Sequence, residues 1–142
     1  MTTDAAAPAH GCDHLDDSEV VVRFEATTLS PADYRHREHL RIAFAMLRDT
    51  DLADAALRFR RALQRYAAAI GAAAKYHETL TWAYLVLIQA RMHATADADS
   101  RAFLARNPDL LDHRRGALAR YYDVAAITAS PLARRVFVLP ER

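Results

Sequence analysis

From Leu52 to Ile70 the chain sets apolar residues at helical spacing. Ala56, Phe59, Leu63, Tyr66, Ala67 and Ile70 share one side, and Arg58, Arg61 and Arg65 share the other. A stripe of that width has to be buried against other elements, and nothing in it alternates as a strand would. Three glycines and five prolines in 142 residues are too few for a turn-rich β-sandwich, and a hydrophobic content of 52% is too high for a disordered chain. The length suits one domain around one core. The expected fold is all-α: a single-domain helical bundle of about five to seven helices over residues 16–142, with a disordered tail over residues 1–15.

Local signals divide the bundle. Asp16-Asp17-Ser18 caps a helix from Glu19 to about Thr27, and Ser30-Pro31 opens a second that runs to about Asp49. Thr50-Asp51 starts the third helix and Gly71 ends it. A fourth, from about His77 to Ala94, is apolar nearly all round, which places it at the centre of the bundle. Asp99-Ser100 caps a helix through Ala105, a further helix is expected within Leu111–Tyr122, and Ser130-Pro131 starts a short one to about Arg135. Val136–Pro140 reads as an extended end that packs back on the body.

The single cysteine, Cys12, excludes an internal disulfide framework and a cysteine zinc cluster. A net charge of +1 excludes electrostatic nucleic-acid binding by the whole domain. The longest apolar stretch, Trp82–Ile88, is far short of the roughly 20 residues of a membrane span, and the first residues lack the pattern of a secretory signal. The expected setting is cytoplasmic and the expected partner a small-molecule substrate or ligand, with no nucleic acid and no membrane; a homodimer is left open. In the tail, His10, Cys12 and His14 can catch a soft metal or simply be solvated.

The histidines carry the functional expectation. On a wheel of about 100° per residue, His36 falls in the middle of the second helix's apolar stripe with Leu40, Ala43, Phe44 and Leu47. His39 falls in the same stripe one turn on, while Arg37, Glu38, Arg41 and Arg48 fall on the solvent side. Burying two imidazoles from one turn costs on the order of 1–3 kcal/mol each unless they find partners. The fourth helix adds His77, with Thr81, Tyr84, Ile88 and Arg91 on its side. If the two helices pack together, His36, His39 and His77 can hold one divalent transition metal ion, zinc, copper or iron. Glu78 can serve as ligand, orienter or general base, or be only an acidic first-turn residue. Tyr84, Arg91 and Tyr122 are the candidates for positioning a substrate. Tyr121, Arg134 and Arg135 are weaker pocket candidates, and His93 and His113 read as surface residues at helix ends.

Phe24-Glu25, His36-x-x-His39-Leu40-Arg41-x-Ala43, Lys75-Tyr76-His77-Glu78-Thr79, Asn107-Pro108-Asp109-Leu110-Leu111, Tyr121-Tyr122 and Val136-Phe137-Val138-Leu139-Pro140 together resemble a family of short bacterial helical proteins to which no reaction is assigned. The resemblance spans about Phe24 to Pro140. It implies that His36, His39 and His77 form the polar core, with Glu78 less firmly included. Two readings follow from the sequence. One is a small helical metalloenzyme acting on an organic molecule through a mononuclear three-histidine site. The other is a non-catalytic ligand- or metal-binding module whose core histidines are structural.

Overall fold

The computed structural model describes residues 12–141, and all regular structure in them is helical. Seven α-helices follow one another: α1 (Asp17–Glu25), α2 (His36–Asp49), α3 (Leu52–Ala69), α4 (Glu78–Ala94), α5 (Ser100–Arg106), α6 (Val124–Ala129) and α7 (Pro131–Arg135). Three 3-10 turns, Ala73–Lys75, Pro108–Leu110 and Ala117–Arg120, fill the links. None of the helices is long and apolar enough to cross a membrane.

The starts follow from local chemistry. Asp16, Asp51, Asp99 and Asp123 each accept a backbone N–H of the first turn of α1, α3, α5 and α6. Ser130 does the same for the Ala133 N–H of α7, whereas Ser30 does not cap α2. Ser30-Pro31 makes only a turn, closed by the Asp33 and Tyr34 N–H groups on the Ser30 carbonyl. The helix itself begins five residues later, at His36, where the Arg35 N–H donates to Glu38 Oε1 at 3.1 Å. The delay folds Tyr34 back under the helix, where it stacks on Phe24 and packs against Tyr66.

The central helix is α2, not the more hydrophobic α4. It touches α1, α3, α4 and α5, and its residues Leu40 to Leu47 are all buried. Two residues assigned to its solvent face are therefore inside. Glu38 is buried as the partner of the helix start. Arg41, 1% exposed, donates to Ser100 Oγ, to the Cys12 and Leu15 carbonyls and to Asp17 Oδ1. That guanidinium binds residues 12–17 to the bundle, so 12–15 are not the disordered tail expected there: Cys12 and Leu15 belong to the core. His10 lies outside the described residues. In contrast, α4 leaves Val86 46% exposed and is covered on only part of its circumference.

The last third departs from the expected helix within Leu111–Tyr122. Gly116 lies so close to the Asp109 and Asp112 carbonyls that a Cβ there would sit 1.9 and 2.3 Å from them. The backbone turns tightly at this point and only the short 3-10 turn forms. The end of the chain does pack back: Tyr122 donates to the Val138 carbonyl at 2.8 Å, and the Val138 N–H donates to Thr79 Oγ1 at 3.1 Å.

Candidate functional site

Helices α2, α3 and α4, with the chain around α6 and the 3-10 turns, enclose a cavity of about 460 Å³. Leu63, Ile70, Leu80, Leu118 and Val124 supply its apolar wall. Its polar lining is imidazole, phenol and hydroxyl: His36, His39, His77 and His113, Tyr34, Tyr66, Tyr76 and Tyr84, Thr81 and Thr128. Among the described residues no carboxylate lines it, and Lys75 is its one lysine or arginine. That is the composition of a small-molecule cleft, mostly apolar with a few placed polar groups.

The three expected histidines all reach this cavity, each tied by the protein. His36 Nε2 donates to the Leu110 carbonyl at 2.8 Å. A carbonyl can only accept, so the proton is on Nε2 and, in the neutral ring, Nδ1 keeps its lone pair. His39 Nδ1 is 3.0 Å from the Tyr34 hydroxyl. His77 stands just before α4 as its N-cap: Nδ1 accepts the Leu80 N–H at 3.1 Å, and Nε2 donates to the Ile127 carbonyl at 2.8 Å. This pair of bonds fixes a neutral Nε2–H tautomer and joins α4 to α6. Burial holds all three rings below the ordinary imidazole range, His39 to about 3. The bonds to Leu110 and Ile127 oppose the effect at His36 and His77, and His36 further lowers His39.

The rings of His36 and His39 lie 6.3 Å apart. His77 has both nitrogens engaged and joins a metal only by giving up its cap or its bond to Ile127. Among the described residues no group of three or more His, Cys, Asp or Glu side chains is disposed to hold a metal ion.

The Tyr84 ring meets the His36 ring edge-on at 5.0 Å between centroids. Tyr84 is 5% exposed, its hydroxyl oxygen is shut off from the cavity, and among the described residues that oxygen has no hydrogen-bond partner. Burial pushes that phenol's pKa up, so it stays an O–H donor. His113, read as a surface residue, is exposed but sits 5.4 Å from His36 at the cavity's mouth. Sequence reasoning also passed over Tyr34, whose partnership with His39 depends on the turn before α2.

The other candidates point elsewhere. Glu78 Oε1 takes bonds from Arg60 at 2.8 Å and the Tyr76 hydroxyl at 2.5 Å. Burial acts to raise its pKa, but those two donors bring it below the usual carboxylate value. Glu78 lines a separate depression with Arg60, Tyr76, Arg134 and Arg135. Arg91 forms a two-pronged ion pair with Asp109 at 2.5 and 2.7 Å. Tyr122 is spent on Val138, and Arg134 donates to the carbonyls of Ala74, Tyr76 and Thr128. Neither Arg91 nor Tyr122 lines the histidine cavity.

These bonds make a prediction about His77. His77→Ala removes a helix cap worth about 1 kcal/mol and a buried bond to Ile127 worth about as much. Chemical denaturation should show a loss of about 2 kcal/mol, with about half recovered in His77→Asn, since asparagine caps well. Equal losses in the two variants would contradict the capping role.

Compared with protein-family models, curated proteins and solved structures, the chain matches none.

Proposed function

We propose that this protein binds a small, largely apolar organic molecule in the histidine–tyrosine cavity. The observation that carries the reading is the cavity itself, about 460 Å³ left unfilled by its neighbours and walled by apolar side chains together with imidazoles already anchored at His36 and His77. The fixed tautomers of His36 and His77 suit recognition, because polar groups already held in place lose little entropy when a ligand arrives.

Tyr84→Phe leaves the cavity wall as it is. The variant should melt no lower than the parent, since it deletes an unpaired polar atom and keeps the ring. It should bind uncharged aromatic fragments as the parent does, because the hydroxyl it removes is not open to the cavity. Leu63→Trp, which fills the cavity from α3, should abolish the thermal stabilisation that such fragments give the parent. If no uncharged fragment stabilises the parent, or if Leu63→Trp leaves stabilisation intact, the cavity is not a binding site.

A second reading retains a divalent transition metal. It is favoured by the anchoring of His36 by a carbonyl and His39 by a tyrosine, the kind of support that orients metal-binding imidazoles. Elemental analysis of untagged protein decides it: about one ion per chain, lost in His39→Ala, supports this reading. Metal-free protein that also takes up no zinc, cobalt or copper removes it.

A further inference from the structure

We infer that the depression between α3 and α7 binds the phosphate group of a small phosphate monoester. It is a site apart from the histidine cavity, and Tyr76 is the one described residue that lines both. Two basic stretches of the chain meet there. Between Asp54 and Glu78 the sequence has no acidic residue but carries Arg58, Arg60, Arg61, Arg65 and Lys75. Between Asp123 and Glu141 it again has none and carries Arg134 and Arg135. The fold gathers Arg60 and Gln64 of α3, Tyr76, and Arg134 and Arg135 of α7 around one depression of about 480 Å³.

Glu78 is the one carboxylate among its described lining residues, and it is engaged: Oε1 accepts from Arg60 Nε at 2.8 Å and from the Tyr76 hydroxyl at 2.5 Å. Three guanidinium groups against one carboxylate leave two positive charges uncompensated in the depression. Arg134 is held there by uncharged partners. Its Nη1 donates to the Ala74 carbonyl at 3.1 Å and the Tyr76 carbonyl at 3.4 Å, and its Nη2 donates to the Thr128 carbonyl at 3.1 Å. Carbonyls orient a guanidinium without cancelling its charge, so this cation is in place before an anion arrives. Arginine forks suit phosphate oxygens, and the Gln64 amide adds donors beside them. A phosphate monoester carries nearly two negative charges at neutral pH and so matches the surplus better than a carboxylate does. The cations surround a recess built from two elements, which favours a small molecule over a flat lipid surface.

The test titrates glycerol phosphate, acetate and glycerol at low ionic strength into the full chain and into Arg135→Ala and Arg135→Lys, following backbone amide shifts by NMR. The Arg135 side chain is exposed and hydrogen-bonds to none of the described residues, so both variants should fold as the parent does. In the parent, glycerol phosphate should bind roughly tenfold tighter than acetate, glycerol should not bind, and the saturable shifts should centre on Ala74, Tyr76 and Arg135. Arg135→Ala should weaken the phosphate about fivefold, and Arg135→Lys should recover part of that loss, because an ammonium keeps the charge without the fork. Equal binding of acetate and glycerol phosphate overturns the phosphate assignment. Phosphate affinity unchanged in Arg135→Ala, or no saturable shift with any probe, overturns the site. Capture on vesicles containing phosphatidylserine, by protein that takes up no glycerol phosphate, overturns the small-molecule assignment in favour of a lipid surface. None of these outcomes depends on whether the histidine cavity takes a ligand.

Discussion

Arg41→Ala should lower the stability of the protein by about 3–5 kcal/mol, the range found when one member of a buried ion pair is removed. The guanidinium is fully enclosed, and Asp17, its acidic partner at 3.3 Å, is nearly so. Without Arg41 the Cys12 carbonyl loses its donor, the Leu15 carbonyl is left with Arg101, and Asp17 keeps Ser100, whose N–H and Oγ lie 2.8 and 2.5 Å away, and a distant Arg48. The melting temperature should fall by roughly 10–20 °C. The loss should also release the start of the chain, which is read independently through Cys12. This thiol is 1% exposed, and burial raises its pKa, so it should resist a thiol reagent in the parent and react readily in Arg41→Ala. Arg41→Lys should fall between the two, because one ammonium cannot reach the same four partners. A variant that melts within about 2 °C of the parent would show that the arginine is dispensable.

The second large effect is acid destabilisation that begins well above the carboxylate range. His36, His39 and His77 are held below the ordinary imidazole value of 6.5 in the folded protein, His39 at about 3. The unfolded chain therefore binds protons first. Stability is complete above pH 6.5 and is lost as the pH falls through 6.5 toward the folded values. A histidine inside that window contributes up to about 1.4 kcal/mol of loss per pH unit. Carboxylates with lowered values, such as Glu25 and Asp109, add their own loss only at lower pH. Denaturation curves between about pH 6.5 and pH 5 thus isolate the imidazoles. Stability should fall steeply across that interval, and His39→Gln should flatten part of the slope. A level profile there would mean that the rings are not kept neutral by the fold.

Much of the architecture is legible in the chain itself. The stripe from Ala56 to Ala67, the aspartate caps and the Ser130-Pro131 start all appear where local chemistry puts them. What the wheel misjudged was α2. A wheel ranks faces by polarity, yet Glu38 is buried beside the helix start and Arg41 on partners distant in sequence. Hydrophobicity likewise chose α4 as the centre, whereas position in the bundle depends on how many neighbours a helix meets, and α2 meets more kinds of them. The candidate site was legible as far as His36, His39, His77 and Tyr84, which share one cavity. Their individual duties were not. His77 acts one residue before its helix, as a cap, and His36 bonds a carbonyl 74 residues away. Arg91 and Tyr122 looked available only because Asp109 and Val138 are remote from them in sequence or carry no signal of their own.

The central claim is that neutral imidazoles line a cavity that accepts a ligand. The most direct measurement is a ring-nitrogen NMR titration of ¹⁵N-histidine protein with 2-naphthol. The account predicts that His36 and His77 start as neutral Nε2–H tautomers, and that His36 and His39 shift saturably while His14 and His93, outside the cavity, stay still. Rings already protonated at neutral pH, or no saturable shift at His36, would contradict it.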